Sequence, residues 1–461
     1  MSVFDGHARA WHPRAERLKR RCVAQILRAM ALGRQIAPLA VVYHLLPAVL
    51  RVRMKRVLIR GALGTNTGLN AAHSAREPIA RSSGQANPNV CGVNLIGHVR
   101  GEFGLGQSVR LAARMLDSAD YPFCLLNYEA GMPGSLNDAS LAAWIEQVPR
   151  YPISIFFINP DCIQPALAHL REDGASWRYT IGYWFWELET FPAAWRDAFA
   201  HVDEVWVATE FVRCAVAAAT EKPVRVMPLP ALLPVLGPSQ RADFSLPEHK
   251  FIFLCMFDFY SYFERKNPAA AIAAFRAAFP RGRDDVGLVI KTIHGDRMAD
   301  AFEQTAIAVA ADARIMVHDG HLSTKQVAEL IGHCDALVSL HRAEGLGLAL
   351  IEAMALGKPV IATAYSGNMD FMSDDDALLI GYRSVGISPG AYPHAAGQQW
   401  AEPDVAQAAA AMRALADDRA YAKRLGQTAR ERIQQQYAPS VCAQAMARRI
   451  REIEAMTAQA C

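Results

Sequence analysis

The sequence has little of what organises a disulfide-rich, metal-binding or membrane-spanning protein. Its nine cysteines are scattered from Cys22 to Cys461 and form no C-x-x-C pair, which argues against a disulfide framework or a zinc site and suits a reducing cytoplasm. The fourteen histidines show no H-E-x-x-H or related spacing. No apolar run reaches the roughly 18 to 20 residues of a membrane-spanning helix, and the polar stretch 1–11 is not typical of a secretory signal.

What the sequence does contain describes a large globular protein with a basic arm. The 461 residues are 52% apolar and 20% charged, which fits two domains with sizeable cores. The net charge is +3, but residues 1–60 hold thirteen Lys or Arg against two acidic residues. That segment is therefore +11 and the remainder −8. A basic arm on an acidic body favours contact with an anionic surface by the arm alone.

Apolar runs alternate with helical patterns along most of the chain, which predicts parallel sheets covered by helices. Proline-rich residues 228–248 separate two such series. We therefore predict an α/β protein with two Rossmann-like domains facing a cleft. The predicted segments are a basic amphipathic helical extension at 1–60, a flexible linker at 61–88, an N-terminal Rossmann-like domain at 89–235, a C-terminal Rossmann-like domain at 236–403 and a helical tail at 404–461. Predicted strands are 93–96, 153–158, 179–186, 205–208, 251–256, 287–292, 314–318, 336–340 and 359–363.

The most informative segment is 335–367, which is predicted to form a strand, a glycine loop, a helix and a second strand. Gly345 and Gly347 allow the backbone to approach a ligand, and a helix starting near Leu348 directs its free N–H groups into the loop. Such a helix N-terminus favours a diphosphate. Glu344 lies in the loop, and Glu352 follows eight residues later on the helix.

These residues resemble the E-x7-E signature of the family 4 retaining glycosyltransferases, which have the GT-B fold. The resemblance is close over some thirty residues. It implies a nucleotide-sugar donor that binds to the domain at 236–403 and an acceptor that binds to the domain at 89–235. It implies that Glu344 meets the hydroxyls of the donor sugar and that Glu352 binds the ribose. The donor-binding set implied in this way is Gly345, Leu346, Gly347, Leu348 and Glu352.

A second candidate site follows the first strand of the second domain. Arg265 and Lys266 form a cation pair there, and such a pair can stabilise a departing diphosphate. Lys266 matches the lysine of the family. The Gly-Arg pair of the family is replaced by Phe257 and Asp258, so we expect Arg265 to substitute for that arginine.

Two further segments are expected to reach the cleft from the first domain. Gly101, Gly104 and Gly106 form a glycine loop after its first strand, expected near the donor phosphates and the acceptor. Glu187 ends an aromatic strand that suits a sugar site, although many members of the family carry a histidine in this region. We expect Glu187 to face the cleft and to act together with Glu344, Lys266 and Arg265.

The predicted reaction is transfer of a hexose with retention at its anomeric carbon, with mannose from GDP-mannose favoured and a UDP-sugar as the next choice. The predicted acceptor is a lipid-linked or polysaccharide intermediate in the biosynthesis of a cell-surface glycan. No cofactor, metal or nucleic acid is expected, and the run Asp374–Asp376 is interpreted as a solvated loop. The alternatives are a GT-B epimerase or phosphorylase and a non-catalytic, membrane-associated scaffold. The expected location is cytoplasmic, peripheral at the inner face of the plasma membrane.

Overall fold

The computed structural model describes residues 91–129, 136–172 and 177–459. The basic extension predicted at 1–60 and the linker predicted at 61–88 lie outside the described residues. None of the helices in the described ranges is both long enough and apolar enough to cross a membrane.

The first domain is built on a seven-stranded sheet whose strands are all parallel, in the order β3-β2-β1-β4-β5-β6-β7. The central strands are buried along their whole length because helices cover the sheet. The strands are β1 Val93–Gly97, β2 Phe123–Asn127, β3 Ile145–Glu146, β4 Ile153–Phe157, β5 Tyr179–Trp184, β6 Glu204–Val207 and β7 Val224–Val226. The helices are α1 Gly104–Ser118, α2 Pro160–Glu172 and α3 Glu210–Ala217, with a 3-10 helix at Ala193–His201.

The second domain has a six-stranded parallel sheet in the order β10-β9-β8-β11-β12-β13. Its strands are β8 Phe251–Asp258, β9 Val286–Ile293, β10 Ile315–Asp319, β11 Ala336–Ser339, β12 Val360–Thr363 and β13 Leu378–Ile380. Its helices are α4 Phe263–Lys266, α5 Pro268–Ala278, α6 Ala299–Ala310, α7 Thr324–His333 and α8 Leu348–Ala355. The two parallel sheets confirm the predicted pair of Rossmann-like domains.

The strand order locates the place where a ligand can enter each sheet. It reverses between β1 and β4 in the first sheet and between β8 and β11 in the second. Ligands of open α/β sheets bind at such reversals, outside the carboxyl ends of the strands. The loops that leave β1, β4, β8 and β11 are therefore the ones expected to line a site.

Three C-terminal helices follow the second sheet: α9 Val405–Asp417, α10 Arg419–Gln436 and α11 Pro439–Gln459. Helix α9 packs on α5 and α10 packs on α8, whereas α11 returns to pack on α1 of the first domain. The guanidinium of Arg449 on α11 bonds to the fully buried carboxylate of Glu204 on β6. The predicted helical tail thus joins both domains.

The structure also contains elements that the sequence did not predict. A two-stranded antiparallel hairpin, β14 Tyr382–Gly386 and β15 Gln399–Pro403, stands apart from the main sheet. The interpretation of the aspartate run as a solvated loop is wrong for Asp376. That side chain is buried, pairs with Arg432 and accepts a hydrogen bond from Ser373. A charged partner from α10, fifty-six positions along the chain, explains its burial.

Candidate functional site

Helix α8 begins at the carboxyl edge of the second sheet and is preceded by a glycine turn. Gly347 caps the helix with φ +93°, a left-handed conformation that favours glycine. A Cβ on Gly345 would lie 2.9 Å from the carbonyl oxygen of Trp186 in the first domain. The Thr209 hydroxyl, also in the first domain, donates to the Gly345 carbonyl at 2.7 Å. The loop is therefore held close to the first domain while the free N–H groups of α8 stay available.

Glu344 lies beside this turn, between the two cations predicted from the sequence. Its carboxylate pairs with Lys266 Nζ and lies 3.2 Å from Arg265 Nη1. Arg265 is buried and also donates to the carbonyl oxygens of Ala343 (2.7 Å) and Ser261 (3.1 Å). Burial opposes ionisation of Glu344, but the charges of Lys266 and Arg265 outweigh it and lower its pKa to about 2. Glu344 is therefore a carboxylate at any physiological pH.

Glu187 extends this chain of charges into the first domain. Its carboxylate lies 3.8 Å from Arg265 Nη2 and accepts a hydrogen bond from the Tyr392 hydroxyl. Tyr392 belongs to the loop between β14 and β15, and its ring lies 6.0 Å from the Arg265 guanidinium. Burial and the neighbouring Glu187 raise the pKa of Tyr392 well above its ordinary value, so this hydroxyl remains a donor.

These groups line one cleft of about 640 Å³ between the two domains. The structure brings together most of the residues predicted to form the site. They are Glu344, Lys266, Arg265, Glu187, Gly345, Leu346, Gly347, Leu348 and Gly104. Asn159 and Asp161, which follow β4, lie in the same cleft.

Gly101 and Gly106 are placed differently from Gly104. A Cβ on Gly106 would lie 2.1 Å from the Gly101 carbonyl oxygen, so these glycines allow the loop to pack closely on α1. Neither lines the cleft, whereas the exposed Gly104 does and has open space beside it. Their requirement for glycine is therefore explained by packing within the first domain.

Glu352 lines a second cavity of about 520 Å³ rather than the cleft that contains Glu344. Phe103 lines both cavities, which places them side by side. The side-chain carboxylate of Glu352 receives no hydrogen bond or ion pair from the described residues, and desolvation raises its pKa to about 7. His321 of the second domain bridges to Glu102 of the first at 2.8 Å beside this cavity.

Sequence reasoning missed several residues that line the cleft. Asp258 stands where the family resemblance implies an arginine, and its carboxylate accepts hydrogen bonds from His294 (2.8 Å) and the Tyr260 amide (2.9 Å). Tyr392 and His394 come from the unpredicted hairpin loop. The aromatic residues of that loop give no periodic signal, because the loop contains no helix or strand. Within the described ranges, no group of three or more His, Cys, Asp or Glu could hold a metal ion.

Comparison with known proteins defines the class of the molecule. Residues 239–432, which include the whole second sheet, match the family described as glycosyl transferases group 1. Sucrose-phosphate synthase from Thermosynechococcus elongatus is similar in structure, with a TM-score of 0.56 and 18% identity over 79% of this chain and 100% of that chain. Anabaena Alr3699/HepE in complex with UDP-glucose has a TM-score of 0.54 and 13% identity over 79% and 100%. No curated protein matches the chain significantly.

These findings confirm the GT-B fold that the sequence predicted. The matched domain and its fold together also confirm the prediction of an enzyme. The matched part of the chain, residues 239–432, is therefore a domain of the glycosyltransferase type.

Proposed function

We propose that the protein transfers a hexose from a nucleoside diphosphate donor to a hydroxyl of a glycan acceptor, with retention at the anomeric carbon. The observation that supports this most is the position of Lys266 and Glu344 beside the N-terminus of α8. The helix N–H groups and Lys266 suit a diphosphate, and the carboxylate of Glu344 suits sugar hydroxyls. The site that suits a diphosphate is thus next to a carboxylate that can accept hydrogen bonds from sugar hydroxyls. A sugar linked to a diphosphate requires both.

In this proposal, binding of the donor moves Lys266 from its ion pair with Glu344 to the donor phosphate. The charges of Glu344, Glu187, Arg265 and Lys266 cancel in the ligand-free site. When hydroxyls of the donor sugar bond to Glu344, Lys266 is released to bind the phosphate. The acceptor oxygen then bonds to the anomeric carbon as the bond from that carbon to the phosphate oxygen breaks. The departing diphosphate takes the acceptor proton, and Lys266 with the α8 amides stabilises its charge.

We assign the nucleoside to the second cavity, where the carboxylate of Glu352 has no partner among the described residues and can accept hydrogen bonds from ribose hydroxyls. GDP-mannose remains our preferred donor. A UDP-sugar is the next choice, and the complex of Anabaena HepE with UDP-glucose supports that alternative. A thermal-shift panel of UDP, GDP and ADP tests the base, because a ligand at 100 times its Kd adds about 2.7 kcal/mol to stability. If no nucleoside diphosphate or its sugar shifts the transition, the proposed donor class is wrong.

We also propose that residues 1–60, with their charge of +11, hold the enzyme at an anionic inner leaflet near a lipid-linked acceptor. Each Lys or Arg close to such a surface contributes about 1 kcal/mol. Deletion of 1–60 is expected to abolish salt-sensitive binding to vesicles with anionic lipid while activity on a short soluble acceptor is retained. If the truncated protein aggregates and the intact protein does not bind the vesicles, residues 1–60 have a structural role and the membrane proposal is wrong.

A further inference from the structure

Aromatic side chains from both domains line part of the cleft. We call Phe185, Trp195, Tyr262 and His394 the aromatic rim. Trp195 lies on the 3-10 helix of the first domain, and its ring meets that of His394 edge-on at 5.3 Å. Tyr262 packs edge-on against Tyr392 at 4.8 Å, yet 43% of its surface is exposed. Trp195 is half-buried and its ring also contacts Trp186 at 5.0 Å and Phe191 at 6.0 Å. The rim is therefore held in place by the core on one side while part of its ring surface lines the cleft.

Two carboxylates accompany these rings. Asp161, at the start of α2, is exposed, and Glu187 lies beneath Tyr262 and Tyr392. The charges of both act on the Tyr262 hydroxyl: burial, then Glu187 and Asp161, raise its pKa. A carboxylate accepts hydroxyl hydrogen bonds, and an aromatic face packs against apolar C–H groups. Together they match a sugar ring, which has hydroxyls at its edge and C–H groups on its face.

The contacts across the site place the rim away from the diphosphate position. Lys266 pairs with Glu344, Glu344 lies 3.2 Å from Arg265, and Arg265 lies 3.8 Å from Glu187. Glu187 in turn accepts the hydrogen bond from Tyr392, at the base of the rim. A donor with its diphosphate at Lys266 and its sugar at Glu344 leaves the rim, beyond Arg265, unoccupied.

We propose that the aromatic rim is the acceptor subsite and that it binds a pyranose ring of the acceptor. The C–H face of that ring packs on Trp195, and its hydroxyls bond to Asp161 and Glu187. This inference rests on the proposed function, because an acceptor subsite requires a transfer reaction.

The test uses the variant Trp195→Ala and measures acceptor binding and donor binding separately. Methyl α-mannopyranoside and methyl α-glucopyranoside serve as acceptor probes, with the donor that the thermal-shift panel identifies. We expect the KM for the probe to rise about tenfold through loss of the stacked ring. The donor KM and the release of nucleoside diphosphate without acceptor should stay within twofold of the wild type.

Three further variants make the result specific. Trp195→Phe keeps a ring and should recover most of the acceptor affinity, whereas His394→Ala should raise the KM for the probe by a smaller factor. Trp144→Ala removes a half-buried tryptophan of the same domain outside the cleft and should leave that KM unchanged. An unchanged KM for the probe in Trp195→Ala, or an equal loss in donor hydrolysis, would overturn the assignment. A wild-type enzyme that neither binds nor turns over any sugar nucleotide would overturn the proposed function instead.

Discussion

The two ends of the proposed donor site treat a desolvated carboxylate in opposite ways. Glu344 lies between Lys266 and Arg265, which lower its pKa to about 2. Glu352 forms no ion pair with the described part of the chain, and desolvation raises its pKa to about 7. Only eight positions separate them in the sequence. The difference arises because Glu344 precedes α8 in a loop that meets the cations after β8, while Glu352 sits on α8 and faces a second cavity.

The comparison indicates what each end requires from a ligand. At Glu344 the protein supplies compensating charge before the donor arrives, so this end is electrostatically complete. At Glu352 the desolvation of the carboxylate is not offset by any described group, and hydroxyl donors of a ligand would offset it. The carboxylate of Glu344 is therefore stabilised by charges of the protein, whereas the carboxylate of Glu352 would be stabilised by hydrogen-bond donors of the ligand.

Glu344→Gln should produce the largest change, in stability. The variant leaves Lys266 and Arg265 without their shared counter-charge, and removing one partner of a buried pair costs about 3 to 5 kcal/mol. Because the folded pKa of Glu344 lies below its ordinary value of 4.5, this stability is present above pH 4.5 and is lost as the pH falls towards 2. Chemical denaturation at pH 7 should show the loss, and an unchanged midpoint would mean that the cluster does not stabilise the fold.

Lys266→Ala should lower turnover about 100- to 1,000-fold, since one preorganised donor to a leaving group typically has that effect. Single-turnover assays with saturating donor measure the chemical step directly. Lys423→Ala, which changes an exposed lysine on α10, is the matched control and should keep wild-type turnover. A loss of less than tenfold would remove Lys266 from the site.

The second domain was easier to predict from sequence than the first, for a physical reason. Strands such as β8 and β9 are eight residues long and buried on both faces, so they appear as continuous apolar runs. Strands β3 and β7 of the first domain have two and three residues and give no such signal.

The candidate site was only partly predictable, because some of its contacts have no local pattern. Tyr392 reaches Glu187 across 205 positions of the chain, and no spacing in the sequence links them. The glycine loop shows a second limit. At Gly106 a side chain would collide with the Gly101 carbonyl, whereas Gly104 lines the cleft. The sequence alone does not distinguish these two roles.

Glu352→Gln should change the stability in the opposite direction to Glu344→Gln: it should stabilise the fold at high pH. A carboxyl group whose folded pKa is raised from 4.5 to about 7 binds more protons in the folded state, so stability falls as the pH rises through that window. The variant should therefore be more stable than the wild type at pH 8 and similar at pH 4. Thermal denaturation at both values measures this, with Glu303→Gln on the exposed face of α6 as the control.

The same variant should remove a pH dependence of nucleotide binding. If ribose hydroxyls bond to the ionised form, the affinity of the wild type for a nucleoside diphosphate should rise about tenfold between pH 6 and 8, as the ionised fraction rises. Calorimetric titration of both proteins separates this effect from ionisation of the ligand, which is common to both. Equal pH profiles would mean that Glu352 does not contact the nucleotide.

Tyr392→Phe should have the smallest effect, because it removes one hydroxyl and keeps the ring. The ring contacts with Trp186 and Tyr262 are retained, so the fold of the hairpin loop should persist. The lost bond goes to a charged acceptor, for which about 1.5 to 3 kcal/mol is typical. Glu187 is only half-buried, so water can replace part of that bond, and we expect turnover to fall by about fivefold.

A double-mutant cycle tests whether Tyr392 acts through Glu187. If its hydroxyl only orients the carboxylate that faces Arg265, then Tyr392→Phe should have no effect in a protein that already carries Glu187→Gln. The turnover of the double variant should then equal that of Glu187→Gln within twofold. Losses that multiply would mean that the hydroxyl contacts the substrate directly. The chain of contacts from Lys266 to the hairpin loop would then end at Glu187, and Tyr392 would belong with the acceptor.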